Sequence, residues 1–583
     1  MKRLLLALAC LAAPVLLVAQ GPERFSGPSS QTLAQLVSDY WEWRLAKEPE
    51  LATRVGRVDH NARWTDWSKA ARDRLRYDQR EFLQKAMWVS PGTLNGADLL
   101  TALLMEYELQ TALEAEPHLN LVQRVSQADG AHNQVFVVVD QMPARTVKDY
   151  ENILARLRGL PAYIDQTIAL VREQLAAGLA QPAIVVDLML DQVTAQGSPA
   201  AVDSPLLAAF RRFPAEISAA DQARLSTEAR AAYAQQFVPS WKRLETFLRD
   251  TYRKQARAQI GIGSVPDGAA VYAALIHAYT TTRMPAAEIH RLGLQEVARI
   301  EKEMERLARE AGFNGSVTDY ERQVGAQPGM RFASQEEMLA YARDVLARVQ
   351  PALPRLFKRL PRMTVGVRPI PADREASTAS NYTAGTADGT RPAWFNMNTY
   401  RPQEQFKYDI DSLVLHESVP GHHLQRGLGL ELTGIPDFRR VFAAPAFSEG
   451  WALYAESLGQ ELGVYRDSTT KFGQLASEQF RAVRLVVDTG IHTMGWSRDR
   501  AREYFARHVP GQSIAEIDRY IARPGQALAY KLGELKIKAL RRKAEQALGA
   551  RFDIRDFHDA VLRNSTLPLA LLEEQVNAYI AAR

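Results

Sequence analysis

Three of the eleven histidines fall within eight residues, in the run Leu413-Val414-Leu415-His416-Glu417-Ser418-Val419-Pro420-Gly421-His422-His423. A carboxylate follows the first histidine directly, and an apolar stretch precedes it. Zinc peptidases of the H-E-x-x-H type set two imidazoles one helical turn apart on one face, and the glutamate between them activates water. Here Pro420 stands where the second histidine would be, so the literal motif is absent. Proline removes a backbone donor and clashes with the preceding turn, so Pro420-Gly421 is expected to bulge or kink the helix and return His422 to the face of His416. An undistorted helix would align His416 with His423 instead, about 10 Å along the axis and too far for comfortable joint ligation. His422 is therefore the expected second ligand, with His423 as the alternative. Glu417 has the position of a general base, taking a proton from water and passing it to a leaving amine. Solvated or core-capping histidines would need no such neighbour.

A catalytic zinc needs a third protein ligand and an open position. Downstream lies Phe447-Ser448-Glu449-Gly450-Trp451-Ala452-Leu453-Tyr454-Ala455-Glu456. This segment resembles the N-E-G-F-A-x-Y-x-x-E run of alanyl-aminopeptidase-like gluzincins, and the resemblance implies that Glu449 ligates zinc from a second helix. Glu456, seven residues on, shares its face and is a candidate to orient a ligand histidine.

Two further sets are candidates. Arg484, Asp488 and His492, with Arg481 nearby, recur every four residues and line one helix face. They make either an internal salt-bridge stripe or a group in which His492 or Arg484 faces the developing oxyanion or a substrate carboxylate. Pro524-Gly525-Gln526-Ala527-Leu528-Ala529-Tyr530-Lys531 puts a tyrosine just inside a helix that begins after a Pro-Gly turn. Tyr530 is an oxyanion-donor candidate, with core packing as the alternative.

The elements that must position these groups are mostly helices. Apolar residues recur at three- and four-residue spacing through Leu33-Leu36-Tyr40-Trp43, and similar patterns run over about 68–88, 96–115, 146–177 and 218–258. The Gly/Pro-rich stretch 261–267 is the expected boundary between an N-terminal helical lobe (20–262) and a catalytic zinc-binding lobe (263–583). Strand-like alternation at Met363 to Ile370 and again at Ala393 to Asn398 predicts a small sheet just before the histidine helix. Trp394 to Asn398 is expected to serve as an edge strand that pairs with an extended peptide. The rest, from Asp409 onward, reads as helical.

Apolar residues make up 46% and charged residues 24%, the balance of a soluble globular protein. Met1-Lys2-Arg3, an apolar run from Leu4 to Val18, then Ala19 and Gln20 read as a secretory leader cut after Ala19. The run is about 15 residues, interrupted by Pro14 and short of the ~20 that span a bilayer, so no stable membrane insertion is expected. Loss of Lys2 and Arg3 takes the formal charge from +5 to +3. So small and well-mixed a surplus gives no basis for nucleic-acid binding. The only cysteine, Cys10, lies in the leader, which excludes disulfides from the mature chain; lipid anchoring through Cys10 is the lesser alternative to a periplasmic or secreted protein.

His416 to His422, Glu449 to Tyr454 and Pro524 to Tyr530 together resemble the bacterial family named domain of unknown function 885, whose hallmarks are H-E-x-x-P-G-H, E-G-W-A-x-Y and P-G-Q-A-x-x-Y. The likeness extends to Tyr279-Thr280-Thr281, Glu288 to Gly293 and Asp388 to Pro392. It implies a gluzincin-like fold with a deep cleft between two helical lobes, Zn2+ as cofactor, His422 over His423 as ligand, and short peptides as substrates. A zinc hydrolase acting on non-peptide amides or cell-wall stem peptides, and an exported binding protein with a structural metal, are the competing readings. Glu417 disfavours the second, because a structural site needs no carboxylate beside its first ligand.

Overall fold

The computed structural model describes residues 27–583 apart from 90, 123–124, 373–374, 376–377 and 511–514. The leader and Cys10 lie outside the described residues. The chain is mainly helical from Gly27–Lys47 to Leu569–Ala581, with one small sheet among the described residues. No described helix is long and apolar enough to cross a membrane.

A helix at Ser468–Thr493 forms the spine of the C-terminal part. Its start is fixed by a capping box, in which Asp467 accepts from the Thr470 N–H and Thr470 answers on the Asp467 N–H. From Ala482 to His492 every residue is buried, so this helix is covered on all sides. The Ala286–Glu310 helix packs along it on one side and the Lys407–Glu417 helix on another. The Lys407–Glu417 helix, which carries His416 and Glu417, buries eight of its eleven residues, and its apolar Ile410, Val414 and Leu415 hold it in the core.

The sheet has the order β1-β3-β2, with β1 Val365–Pro369, β2 Asn381–Thr383 and β3 Ala393–Met397. β1 runs parallel to β3 (Val367 opposite Phe395), and β2 runs antiparallel to it (Tyr382 opposite Phe395). Both longer strands fall where alternation predicted them. β3, however, is the central strand, because its backbone is paired on both sides. Trp394 to Met397 therefore cannot be the edge that accepts a peptide; the edge strands are β1 and β2. The short β2 lies in sequence that reads only as turn-rich.

One large apolar core joins residues of 33–109 to residues of 332–579. A second core is confined to 67–252. The boundary at 262/263 therefore does not separate two cores: the first helices of the chain pack against the helices that carry the candidate site.

Candidate metal centre

The Pro420-Gly421 interruption does more than kink its helix. The first helix ends at Glu417, with Ser418 out of helical geometry, and a second begins at His422 and runs to Glu431. The Ser418 N–H closes the first helix on Val414 O (2.9 Å), and the His423 N–H reaches back to Ser418 O (2.9 Å). Pro420 O accepts from the buried Trp451 indole at 2.8 Å, which ties the turn to the Glu449 helix, Pro445–Ser457. A Cβ on Gly421 would lie 2.0 Å from His416 O, so only glycine lets the turn pass this close to the helix end.

The result brings His422 against His416, with ring centroids 4.8 Å apart and planes at 86°. Glu449 Oε2 stands 3.5 Å from His416 Nε2 and 3.4 Å from His422 Nε2. These are poor hydrogen bonds. They match the edge of a zinc tetrahedron, whose ligands at 2.0–2.1 Å from the ion stand about 3.3–3.4 Å apart. One ligand atom each of His416, Glu417 and His422 also lies within 4.8 Å of the others, the only such group among the described residues. Of the two carboxylates Glu449 is the better placed to hold a metal, since its oxygen sits between both Nε2 atoms, with Glu417 beside it. Two imidazoles and one carboxylate thus fit a zinc ion with one position left open.

The surroundings support each donor. Glu456, fully buried, accepts from His416 Nδ1 at 2.8 Å, which leaves the Nε2 lone pair directed at the shared centre. Arg481 Nη2 approaches the same Glu456 oxygen at 3.5 Å. Burial works against the charged forms of Glu449 and His416. For Glu449 the two histidines outweigh it and hold the carboxyl well below its usual range; for His416 the two glutamates outweigh it and raise the ring. Glu417 has no such compensation: burial, opposed by His422 and assisted by the Glu449 charge, pushes it up to about 8. Its Oε2 is buried and makes no hydrogen bond.

The centre opens into a cavity of about 1060 Å³, lined by His416, Glu417, His422, Glu449, Tyr530 and β2. The Tyr530 ring lies parallel to His416 at 6.2 Å, with the Arg484 guanidinium 4.5 Å over it. The Glu449 helix and the Leu528–Leu548 helix that carries Tyr530 meet backbone to backbone at Gly450 and Gly533. A Cβ on Gly533 would fall 1.8 Å from Ala446 O, and one on Gly450 would fall 2.4 Å from Gly533 C.

The family described as bacterial protein of unknown function (DUF885) matches residues 49–576. The chain belongs to this family. No curated protein matches it. Among solved structures, this DUF885 chain is similar to a protein of Colwellia psychrerythraea described as a "putative lipoprotein", at 28% identity and TM-score 0.89, covering 95% of this chain and all of that one. A second, described in the same words and as of unknown function, is from Shewanella oneidensis; at 17% identity, TM-score 0.71 and coverage of 94% and 99%, it shares the fold.

Of the DUF885 chain's sequence-predicted residues, His416, Glu417, His422, Glu449 and Tyr530 converge on one cavity. His423 turns away: Nδ1 meets Tyr382 OH at 3.1 Å and Nε2 meets Met363 O at 2.8 Å. His492 does not join the site. Fully buried, it accepts from the Ile262 N–H (3.0 Å) and lies 3.0 Å from Tyr520 O, and burial pushes it down to about 3. It is a strut between elements, which corrects its candidacy as a catalytic group. Asp488 likewise accepts from Tyr272 OH and the Gly525 N–H, holding the Pro-Gly turn ahead of the Tyr530 helix. Sequence reading missed Tyr382, whose ring packs 6.4 Å from that of His422, and Arg426, one turn beyond His422 in the cavity wall. The one available signal for Arg426 was its i+4 spacing from His422.

Proposed function

We propose that the chain is an exported, zinc-dependent peptidase of gluzincin type that hydrolyses short peptides. The observation that carries this reading is the tetrahedral-edge spacing of Glu449 Oε2 from two imidazole nitrogens, with the unpaired Glu417 oxygen beside it. His416, His422 and Glu449 would hold Zn2+, which when bound acts as a Lewis acid and makes water a stronger acid. Glu417 Oε2 takes the proton of the water that adds to the scissile carbonyl carbon. The same carboxyl then delivers that proton to the amine as the C–N bond breaks. Its Oε2, buried and without a hydrogen bond, is free to accept and return that proton. Glu456 keeps the His416 ring in one tautomer and orientation. Tyr530, on the cavity wall against His416, is placed to donate to the developing oxyanion.

The open edge of β2, in the same wall, offers backbone groups to an extended peptide. A bed of this size between helices suits short peptides better than folded chains. The leader at the N-terminus and the lipoprotein descriptions of the similar structures support export. The deciding experiment measures bound metal and peptide cleavage for wild type and Glu417→Gln. Expected are metal in both and cleavage only in wild type. Metal in both with cleavage in neither would favour a binding protein and overturn the peptidase reading.

A further inference from the structure

Resting on the peptidase reading, we propose that Arg426 reads the substrate: its guanidinium binds a carboxylate carried by the peptide one or two residues from the scissile bond. Arg426 follows His422 by four residues on the helix His422–Glu431, about 6 Å along its axis. An extended peptide advances about 3.3 Å per residue, which sets the spacing. The stretch His422 to Gln425 and Gly427 to Gly429 is buried, so Arg426 is the exposed residue of this segment, and it lines the metal cavity.

Four of the other five arginines of the cavity are engaged, and the fifth, Arg54, is attracted by Glu48 and Glu50. Arg57 is held by Glu42 and Asp59, Arg440 by Asp437 and Leu432 O, Arg368 by Asn396, and Arg391 by Arg54 O. Among the described residues Arg426 has no hydrogen-bond or ion-pair partner. A solvated surface arginine would also lack partners, but this one lines the metal cavity, which carries a cationic surplus: six arginines against three aspartates outside the metal cluster. Two of those aspartates are already used, Asp437 by Arg440 and Asp388 by the hydroxyls of Thr386 and Thr390. The guanidinium also acts on Tyr382, whose ring packs against His422, which sets it near the metal centre. A planar, weakly hydrated guanidinium is suited to bidentate capture of a carboxylate, and a positive cavity concentrates anionic ligands. Such a carboxylate is either the peptide's own terminus or an acidic side chain.

The test uses the full zinc-loaded protein and one N-acetylated alanine-rich pentapeptide, as free acid and as amide, each with and without a glutamate beside the terminal residue. Wild type should favour carboxylate-bearing peptides over the neutral amide by about 10-fold in kcat/KM, carried by KM. Arg426→Gln should bring that ratio to about one, and Arg426→Lys should keep part of it. Preference for the free acid alone assigns the terminal carboxylate; preference restored to the amide by glutamate assigns a side chain. Equal rates in wild type, or a preference that survives Arg426→Gln, would overturn the inference. If none of the peptides is cleaved, the peptidase reading fails instead. The same four titrated calorimetrically into Glu417→Gln protein then decide Arg426 on binding alone, by the same ratio.

Discussion

Replacing Gly533 with alanine tests whether helix packing sets the metal geometry. The new methyl would stand 1.8 Å from Ala446 O, and real Cβ contacts essentially never fall below 3.0 Å. The Leu528–Leu548 and Pro445–Ser457 helices must therefore part by about 1.2 Å, and because the obstacle is backbone, no side chain can rotate away. Overpacking of this kind costs about 1–3 kcal/mol, partly offset by the roughly 1 kcal/mol that alanine gains over glycine in a helix. Spread over so large a chain, that net loss moves a melting temperature little. Metal affinity is the sharper readout, because Glu449 sits one residue from Gly450 at the same crossing and ligand positions are tolerant to only about 0.2 Å. Zinc affinity, measured by competition with a chromogenic chelator, should weaken by about 100-fold or more, while far-UV circular dichroism stays helical. Gly92→Ala, where a methyl meets nothing within 4 Å, is the control. Zinc affinity within twofold of wild type for Gly533→Ala would refute the view that this glycine contact places Glu449.

Glu456→Gln should weaken zinc binding about 10–100-fold by loosening the His416 ring, with the fold intact; unchanged affinity in the same competition assay would remove Glu456 from the metal's support. Lys531, fully buried among Glu534 (2.6 Å), Glu478 (2.7 Å) and Glu296 (3.1 Å), holds three carboxylates together. Lys531→Met should cost about 3–5 kcal/mol in urea unfolding, and a loss under about 1 kcal/mol would show that the carboxylates find other partners. His558 is buried between Leu356 O and Tyr454 OH and is pushed down to about 3 by burial. The unfolded chain takes up this proton near pH 6.5 and the folded chain only near 3, so its contribution is lost as pH falls between them. From pH 7.5 to 5 the stability difference between wild type and His558→Gln should shrink by about 2 kcal/mol; a pH-independent difference would mean that His558 takes up its proton alike in the folded and unfolded chain.

The histidine cluster was legible because its chemistry is written in adjacent residues: a proline inside an apolar helical run forces a break, and only a break returns His422 to His416. Tyr530 was legible for a similar reason, since a Pro-Gly turn fixes where its helix starts. His492 shows the limit of spacing. A four-residue recurrence says which residues share a helix face, and a stripe that faces a cavity reads the same as one that faces another helix. On a stretch buried all round, as Ala482 to His492 is, the face alone cannot separate them. The lobe boundary meets a similar limit: a Gly/Pro-rich stretch marks a turn, but whether apolar faces on either side meet again is a long-range fact, and here Leu33 and Phe447 share a core.

The sheet carries the same lesson to function. Alternation located β1 and β3 but is silent on strand order, and a three-residue strand is too short to alternate at all. Yet order decides which backbone is free. With β3 paired on both flanks, peptide pairing is left to an edge strand, β1 or β2, and in β2 Tyr382 is both an edge residue and a contact of His422 and His423. Proline at position 383 would remove one N–H from this strand, whereas proline at 395 would break the sheet itself. If β2 guides the substrate, Thr383→Pro should raise peptide KM and leave zinc affinity within twofold. An unchanged KM would move substrate pairing off this edge and leave the cavity's side chains to hold the peptide.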